Sequence, residues 1–318
     1  PRMALEGMPQ NARIRPGQRE TRPGSLLIRN TGGNDLQFNA AITAAGESLS
    51  QNAITISPAE GVVPPGNIQP LTLYFNAEGL SNGDYAATLT LTGNDPLTPR
   101  IEAPLAMSVD DTLPPAEWTL MVYMAADNNL EPYAILDFIE MATINLPENI
   151  HVALQMDRHP SFDKSFGDWS ISHRFAMREG LIPVEEEAVP DWGDGLGGRE
   201  VNMGNPMVLQ EFMEWGMSHF PAKRHALILW NHGAGWRGDS KTETRQICQD
   251  TTSNDWLYTQ ELGETLKNAP PGTGLVGMDA CLGGTVEAAY EIKAPDMVIV
   301  ASEADVPASG WPYHLVLG

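Results

Sequence analysis

The sequence predicts a mainly parallel α/β domain flanked by helices and preceded by an all-β domain. Three observations carry this. Residues 25–109 hold short apolar segments in near-alternation, with no helical spacing between them. From Trp118 onward, continuous apolar runs alternate with segments of helical spacing. Between the two lies "DDTLPPAE", whose prolines favour an extended, semi-stiff spacer.

In the first part, "SLLIRN", "LQFNAAI", "AITIS", "LTLYFN", "YAATLTLTG" and "IEAPLAMSV" each read as a strand with one face buried and one solvated. The segments between them, such as "TGGND", "PAEGVVPPGN" and "GNDPLTP", are turn chemistry. Successive strands without helices predict a β-sandwich, immunoglobulin-like in size. We assign residues 1–109 to it, 110–116 to the linker and 117–318 to the α/β domain. The sandwich carries no titratable cluster, and a spacer or packed accessory is the plain expectation for it.

In the second part, "WTLMVYMAA" is a run expected of a strand covered on both faces. A helix over "EPYAILDFIEMATIN" follows. Then come "HVALQMD" (strand), "NPMVLQEFMEWGMSHF" (helix), "RHALILWNHG" (strand), "YTQELGETLKNA" (helix), "GLVGMDAC" (strand), "GTVEAAYEI" (helix) and "DMVIVASE" (strand). Such alternation builds a parallel sheet with helices on both faces. Functional groups then collect beyond the carboxyl ends of the strands.

Composition narrows the partners. The 318 residues, 42% of them hydrophobic, suffice for two cores. The net charge of −22 is uneven, −4 over residues 1–116 and −18 over 117–318. That field repels nucleic acid and anionic lipid and draws cations and basic peptides, although solubility alone would explain it. No apolar run reaches the roughly 18–20 residues that span a bilayer. No basic-then-apolar leader opens the chain, so an export signal is expected to be absent from it or already removed. Two cysteines, Cys248 and Cys281, exclude a disulfide scaffold and a Cys-rich zinc site. A Cys248–Cys281 bridge is the inert alternative for both.

Five strand ends offer chemistry: Asp127-Asn128-Asn129, Asp157-Arg158-His159, Asn231-His232-Gly233, Asp279-Ala280-Cys281 and Ser302-Glu303. Two that the reading makes neighbours carry a His and a Cys. Imidazole moves protons near neutral pH, and a thiolate is the nucleophile needing least activation. A cysteine between a strand and a helix would also feel the helix's positive pole. Gly233 and Gly283 lack a Cβ, which would let a substrate backbone approach. The amides of Gly233 and Cys281 are candidate oxyanion donors. Against this, a lone cysteine is usually a small hydrophobe, and a lone histidine after a strand is usually a core residue. There is no G-x-S-x-G elbow and no P-loop, which removes a serine hydrolase or a P-loop phosphatase.

The motifs "WTLMVYMAADNNLE", "ALILWNHGAGWRG", "GMDACLGGTVEAAYE" and "SEADVPASGWPY" together resemble the clostripain family of cysteine peptidases. The resemblance implies a caspase-like α/β fold and peptide-bond cleavage, with Cys281 as nucleophile and His232 as general acid/base. It further implies cleavage after Arg or Lys, calcium dependence in some members, self-cleavage between His and Cys, and export to the medium, periplasm or cell surface. Polypeptides with Arg or Lys at P1 are the expected partners, with no nucleic acid and no transmembrane segment. Chemistry requires no cofactor on this reading.

The residues add to this. Strand alternation aims Asp279 and Cys281 the same way, so Asp279 is a candidate to receive a P1 cation, with Glu303 and Asp305 as alternatives or helpers. Asp279 as a helix cap or a partner of a nearby base is the competing expectation. Lys241 and Arg245, in the polar stretch after His232, are candidate processing sites. Asp191 and Asp194 in "VEEEAVPDWGDGLGG" are weak calcium candidates. The family's sheet usually has a sixth strand where only five are legible here. An exported binding protein with an inactive scaffold is the alternative function.

Overall fold

The computed structural model describes residues 1–7, 10–45, 53–147, 149–189, 192, 198–234, 246–269, 272–294 and 297–318. The chain divides into two compact units, Pro1–Pro114 and Pro115–Gly318.

The first unit contains strands β1 (Met3–Glu6), β2 (Gln10–Ile14), β3 (Arg19–Asn30), β4 (Leu36–Ala44), β5 (Ile54–Ser57), β6 (Glu60–Val63), β7 (Ile68–Asn76), β8 (Gly83–Gly93) and β9 (Arg100–Val109). They form two sheets, ordered β1-β3-β7-β5 and β2-β9-β8-β4-β6. Alternation does the folding: along β4, Leu36, Phe38 and Ala40 are buried while the residues between them are exposed. Leu26, Ile28, Leu71, Leu73 and Phe75 from one sheet meet Leu89, Leu91 and Met107 from the other in a single core. Each such side chain contributes about 1.5–3 kcal/mol by leaving water. β1, β2 and β6 escaped the sequence reading because they are short or polar. β2, "QNARI", buries the small Ala12 together with Ile14.

The second unit contains β10 (Ala116–Ala126), α1 (Glu131–Ala142), β11 (Ile150–Arg158), β12 (Ser172–Ala176), β13 (Gly198–Arg199), α2 (Pro206–His219), β14 (Ala222–Trp230), β15 (Gln246–Asp250), β16 (Asp255–Tyr258), α3 (Thr259–Lys267), β17 (Thr273–Asp279), α4 (Val286–Ile292), β18 (Val298–Ala301) and α5 (Tyr313–Val316). Its main sheet runs β13-β12-β11-β10-β14-β17-β18, and the five strands from β11 to β18 in that order are parallel. β10 lies at the centre. Its Met121, Tyr123 and Ala125 face the core built with α2 and α3, and its Val122, Met124 and Ala126 face the core built with α1. Burial on both sides is why this strand reads as one apolar run. α2 starts where its sequence says: the Asn205 side chain accepts from the Met207 N–H, and Pro206 opens the helix.

Two features add to the five strands read from the sequence, all of which are present. β12 and β13 extend the sheet antiparallel beyond β11, giving seven strands among the described residues. β12 was illegible because Ser172, His173 and Arg174 are all buried despite their polarity. A separate hairpin, β15–β16, stands between His232 and α3. No helix among the described residues is long and apolar enough to cross a membrane.

Candidate active site

β14 and β17 are adjacent parallel strands in which Trp230 is aligned with Asp279. Two residues beyond that pair stand His232 and Cys281, at the same carboxyl rim of the sheet. The loops there are in contact: a Cβ added to Gly233 would overlap the carbonyl oxygen of Cys281. Both cysteines are free, so the bridge alternative is excluded. Cys248 is fully buried, and burial pushes its thiol far up, which leaves it an inert hydrophobe. Cys281 is half-buried.

His232 is held by asparagines. Asn231 is buried, and its amide donates to the carbonyls of Ala125 and Gln249, tying the ends of β14, β10 and β15 together. Its Oδ1 accepts from the His232 N–H. Asn128 donates to the same two carbonyls. The neighbouring Asn129 places Oδ1 2.9 Å from His232 Nε2. With Oδ1 accepting, Nε2 carries the proton and Nδ1 keeps its lone pair. Burial lowers the His232 pKa, so the ring is neutral at neutral pH and ready to accept a proton.

The surroundings of Cys281 differ from expectation. α4 begins only at Val286, after an N-cap at Thr285, so the turn Cys281–Thr285 separates the sulfur from the helix pole. What meets the sulfur is the backbone of Val306: its N–H lies 3.3 Å from Sγ, and its carbonyl 3.7 Å. The same loop fixes the turn, because Leu282 N donates to Ala304 O and Gly284 N to Ser302 O. These bonds hold Leu282 at φ +59°, a conformation costing a branched residue on the order of 1–3 kcal/mol. The glycines also act otherwise than expected. A Cβ at Gly283 would stand 2.6 Å from Met278 Sδ, and one at Gly284 2.7 Å from Ala301 O. Gly233 and Gly283 thus serve close packing of the chain on itself.

The amides of Gly233 and Cys281 have no acceptor among the described residues, so both remain available as donors. Gly233 bridges Ile247 of β15 through Ala234 N–H to Gln246 O, which leaves its own N–H outside the ladder. Asp279 is neither a helix cap nor paired with a base among the described residues. It is buried, and its Oδ2 accepts from Trp311 N at 2.9 Å and Tyr313 Oη at 3.1 Å, while Oδ1 has no partner. Burial raises its pKa. Glu303 and Asp305 are exposed on the loop that reaches Cys281 through Val306. Lys241, Arg245, Asp191 and Asp194 lie outside the described residues. Four other carboxylates on this rim, those of Asp127, Asp157, Glu200 and Asp250, each bring an oxygen within 4.8 Å of the others.

The family model of the clostripain family matches residues 122–318, which hold every element of this site. The chain belongs to the clostripain family. It is 31% identical to clostripain of Hathewaya histolytica over 222 residues, covering 62% of this chain and 41% of clostripain. It therefore spans about two fifths of that relative's length. Among solved structures it is similar to a secreted C11 cysteine protease of Bacteroides thetaiotaomicron, seen in complex with an irreversible peptide inhibitor (TM-score 0.49, 23% identity, 64% of this chain and 53% of that one). It is also similar to an inactive zymogen C11 protease of Parabacteroides distasonis (TM-score 0.47, 18% identity, 64% and 53%). Residues 13–103 match an Ig-like domain model described as HYDIN/CFA65/VesB-like. An Ig-like domain thus precedes a clostripain-family one.

Three residues went unnoticed as site components. Asn129 and Asn231 stand at strand ends that the sequence marks for chemistry, Asn231 next to His232 in the chain and Asn129 brought to it only by the pairing of β10 with β14. Val306 acts through its backbone, for which side-chain identity gives no signal.

Proposed function

We propose that this chain is the catalytic part of a cysteine endopeptidase that cuts polypeptides after Arg or Lys. The observation that carries the reading is a free, half-buried Cys281 and a neutral His232 at one rim of two adjacent strands, with two unused amides beside them. His232 Nδ1 takes the thiol proton as Sγ bonds to the scissile carbonyl carbon. The amides of Gly233 and Cys281 hold the oxyanion. The C–N bond then breaks as the imidazolium returns the proton to the leaving amine, and water hydrolyses the thioester by the same route.

Asp279 receives the P1 cation on this reading. Its buried Oδ1 lacks a partner, and a guanidinium or ammonium would satisfy it. Glu303 and Asp305 add negative charge at the mouth. Self-cleavage at Lys241 or Arg245 and export from the cell complete the proposal. Hydrolysis of fluorogenic peptides ending in Arg, Lys, Asp and Asn tests it. Turnover of the first two, lost in Cys281→Ala, is expected. Preference for Asp or Asn would remove the specificity, and no turnover with unmodified Cys281 would return the binding-protein reading. Mass spectrometry of the chain with and without Cys281→Ala checks processing.

A further inference from the structure

Behind the candidate P1 carboxylate stands a second one. Asp137 comes from α1 and Asp279 ends β17, and they are 2% and 3% exposed. Gly310 runs between them. A Cβ built on it would stand 2.7 Å from Asp137 Oδ2 and 2.7 Å from Asp279 Oδ2. The two oxygens thus face each other across a space that one methyl group would overfill.

Among the described residues, no Lys, Arg or His forms an ion pair with either carboxylate. The donors that reach them are neutral. Trp230 Nε1 donates to Asp137 Oδ2 at 2.6 Å, and Trp311 N and Tyr313 Oη donate to Asp279 Oδ2 at 2.9 and 3.1 Å. Burial pushes the Tyr313 hydroxyl up, so it stays a neutral donor. Asp279 Oδ1 has no partner. The other charged groups near Asp137 are Glu140, one turn along α1, and His314 of α5, 3.0 Å from Glu140. Two carboxylates this close in an apolar setting resist ionising together. Burial first, and then the charges of Asp279 and Glu140, push Asp137 up to about 8 against the hydrogen bond from Trp230. At neutral pH the pair therefore holds a proton.

We propose that Asp137 is a specificity-determining positioning residue of the P1 site, which gives up its proton when a cationic side chain docks on Asp279. This rests on the reading of Asp279 as the P1 receptor. A guanidinium at Asp279 Oδ1 brings the positive charge that the pair lacks. A pair that tolerated one ionised member then holds two. The Asp137 O–H bond is the one that breaks, and its proton leaves for solvent. At a separation of about 6 Å and an effective dielectric of about 20, the added charge eases that ionisation on the order of a hundredfold. An uncharged side chain of the same shape does none of this. The second carboxylate thus widens the gap between a P1 cation and its neutral analogue beyond what Asp279 alone provides. Asp137 acts through Asp279 and touches no substrate.

The test is calorimetric titration of the full chain carrying Cys281→Ala, with an N-acetylated peptide bearing Arg at P1 and with its citrulline counterpart. Titrations in buffers of different ionisation enthalpy count the protons released. We expect about 0.8 proton per Arg peptide at pH 7, and none with citrulline. Kd for the Arg peptide should tighten about eightfold from pH 7 to pH 8.5. Asp137→Asn keeps an acceptor for Trp230 Nε1. It should abolish the release, flatten that pH dependence and weaken the Arg peptide about tenfold at pH 7. Binding of the Arg peptide with no proton released overturns the proposal, and so does a release that persists in Asp137→Asn or appears with citrulline. The proton count in Cys281→Ala alone decides if the second variant does not fold. An Arg peptide that fails to bind instead removes the P1 role of Asp279 itself, and this proposal with it.

Discussion

Gly233 and Cys281 touch: there is no room for a single methyl group between the Cα of one and the carbonyl oxygen of the other. The contact locks the loop after β14 onto the loop after β17, and so sets where the imidazole stands relative to the sulfur. Gly233→Ala must push those loops apart. Displacements of about 1 Å at reacting atoms cost on the order of a hundredfold in rate. We expect kcat/KM on an Arg-terminated peptide to fall by at least that factor, with roughly 1–3 kcal/mol lost in a denaturant melt. Wild-type turnover in Gly233→Ala would refute the role of the contact.

Asn129 is a positioning residue, acting on substrate only through His232. Asn129→Ala should lower kcat by about 10–100-fold and leave KM nearly unchanged. The pH profile reports the same ring. His232 works as the neutral base, and burial holds its pKa below the ordinary 6.5. Protonation removes activity, so the acid limb of kcat/KM lies below pH 6.5 in the wild type. Rotating the ring toward water in Asn129→Ala relieves the burial and moves that limb upward. A limb that stays fixed in the variant means the asparagine does not orient the ring.

Much of this was legible in the sequence, for physical reasons. β10, β14 and β17 are buried on both faces, so their apolar runs could not be mistaken for loops. The strand-end rule then took the eye to His232 and Cys281. What stayed hidden falls into two kinds. β12 buries Ser172, His173 and Arg174, so its composition mimics a surface segment. The site's finer parts depend on pairing order: β10 is the first strand of its unit yet central in the sheet, which brings Asp127 beside Asp157 and Asn129 beside His232. No periodicity along one segment encodes that. The helix pole proposed for Cys281 failed because Gly283-Gly284 prolongs the turn before Val286.

Asp279 gives a separable prediction on specificity. Asp279→Asn keeps an acceptor for Trp311 N–H and Tyr313 O–H but removes the charge. Loss of a buried charge-assisted partner costs about 2–5 kcal/mol. We expect kcat/KM for P1 Arg to fall about thirtyfold or more. The alkylation rate of Cys281 by iodoacetamide, an uncharged probe, should stay unchanged. Retained preference for Arg over uncharged P1 residues in this variant would assign the pocket to Glu303 or Asp305 instead.

Asp279 also shares its surroundings with Asp137. Gly310, at φ +60°, fits between them, and a Cβ there would stand 2.7 Å from an oxygen of each carboxylate. Asp137 is buried, accepts from Trp230 Nε1 at 2.6 Å, and is pushed up to about 8, first by burial and then by the charge of Asp279. Its folded-state pKa lies above the unfolded value, so its favourable linkage is full below about pH 4 and is lost as pH rises through 8. The unfolded chain gives up this proton well before the folded one does. Asp137→Asn keeps the acceptor for Trp230 and removes the titration. The wild type should therefore lose a few kcal/mol in urea melts between pH 5 and pH 8.5 that the variant retains. The two proteins should converge toward pH 4. Parallel decline of both across that range would show that the proton resides elsewhere in the pair.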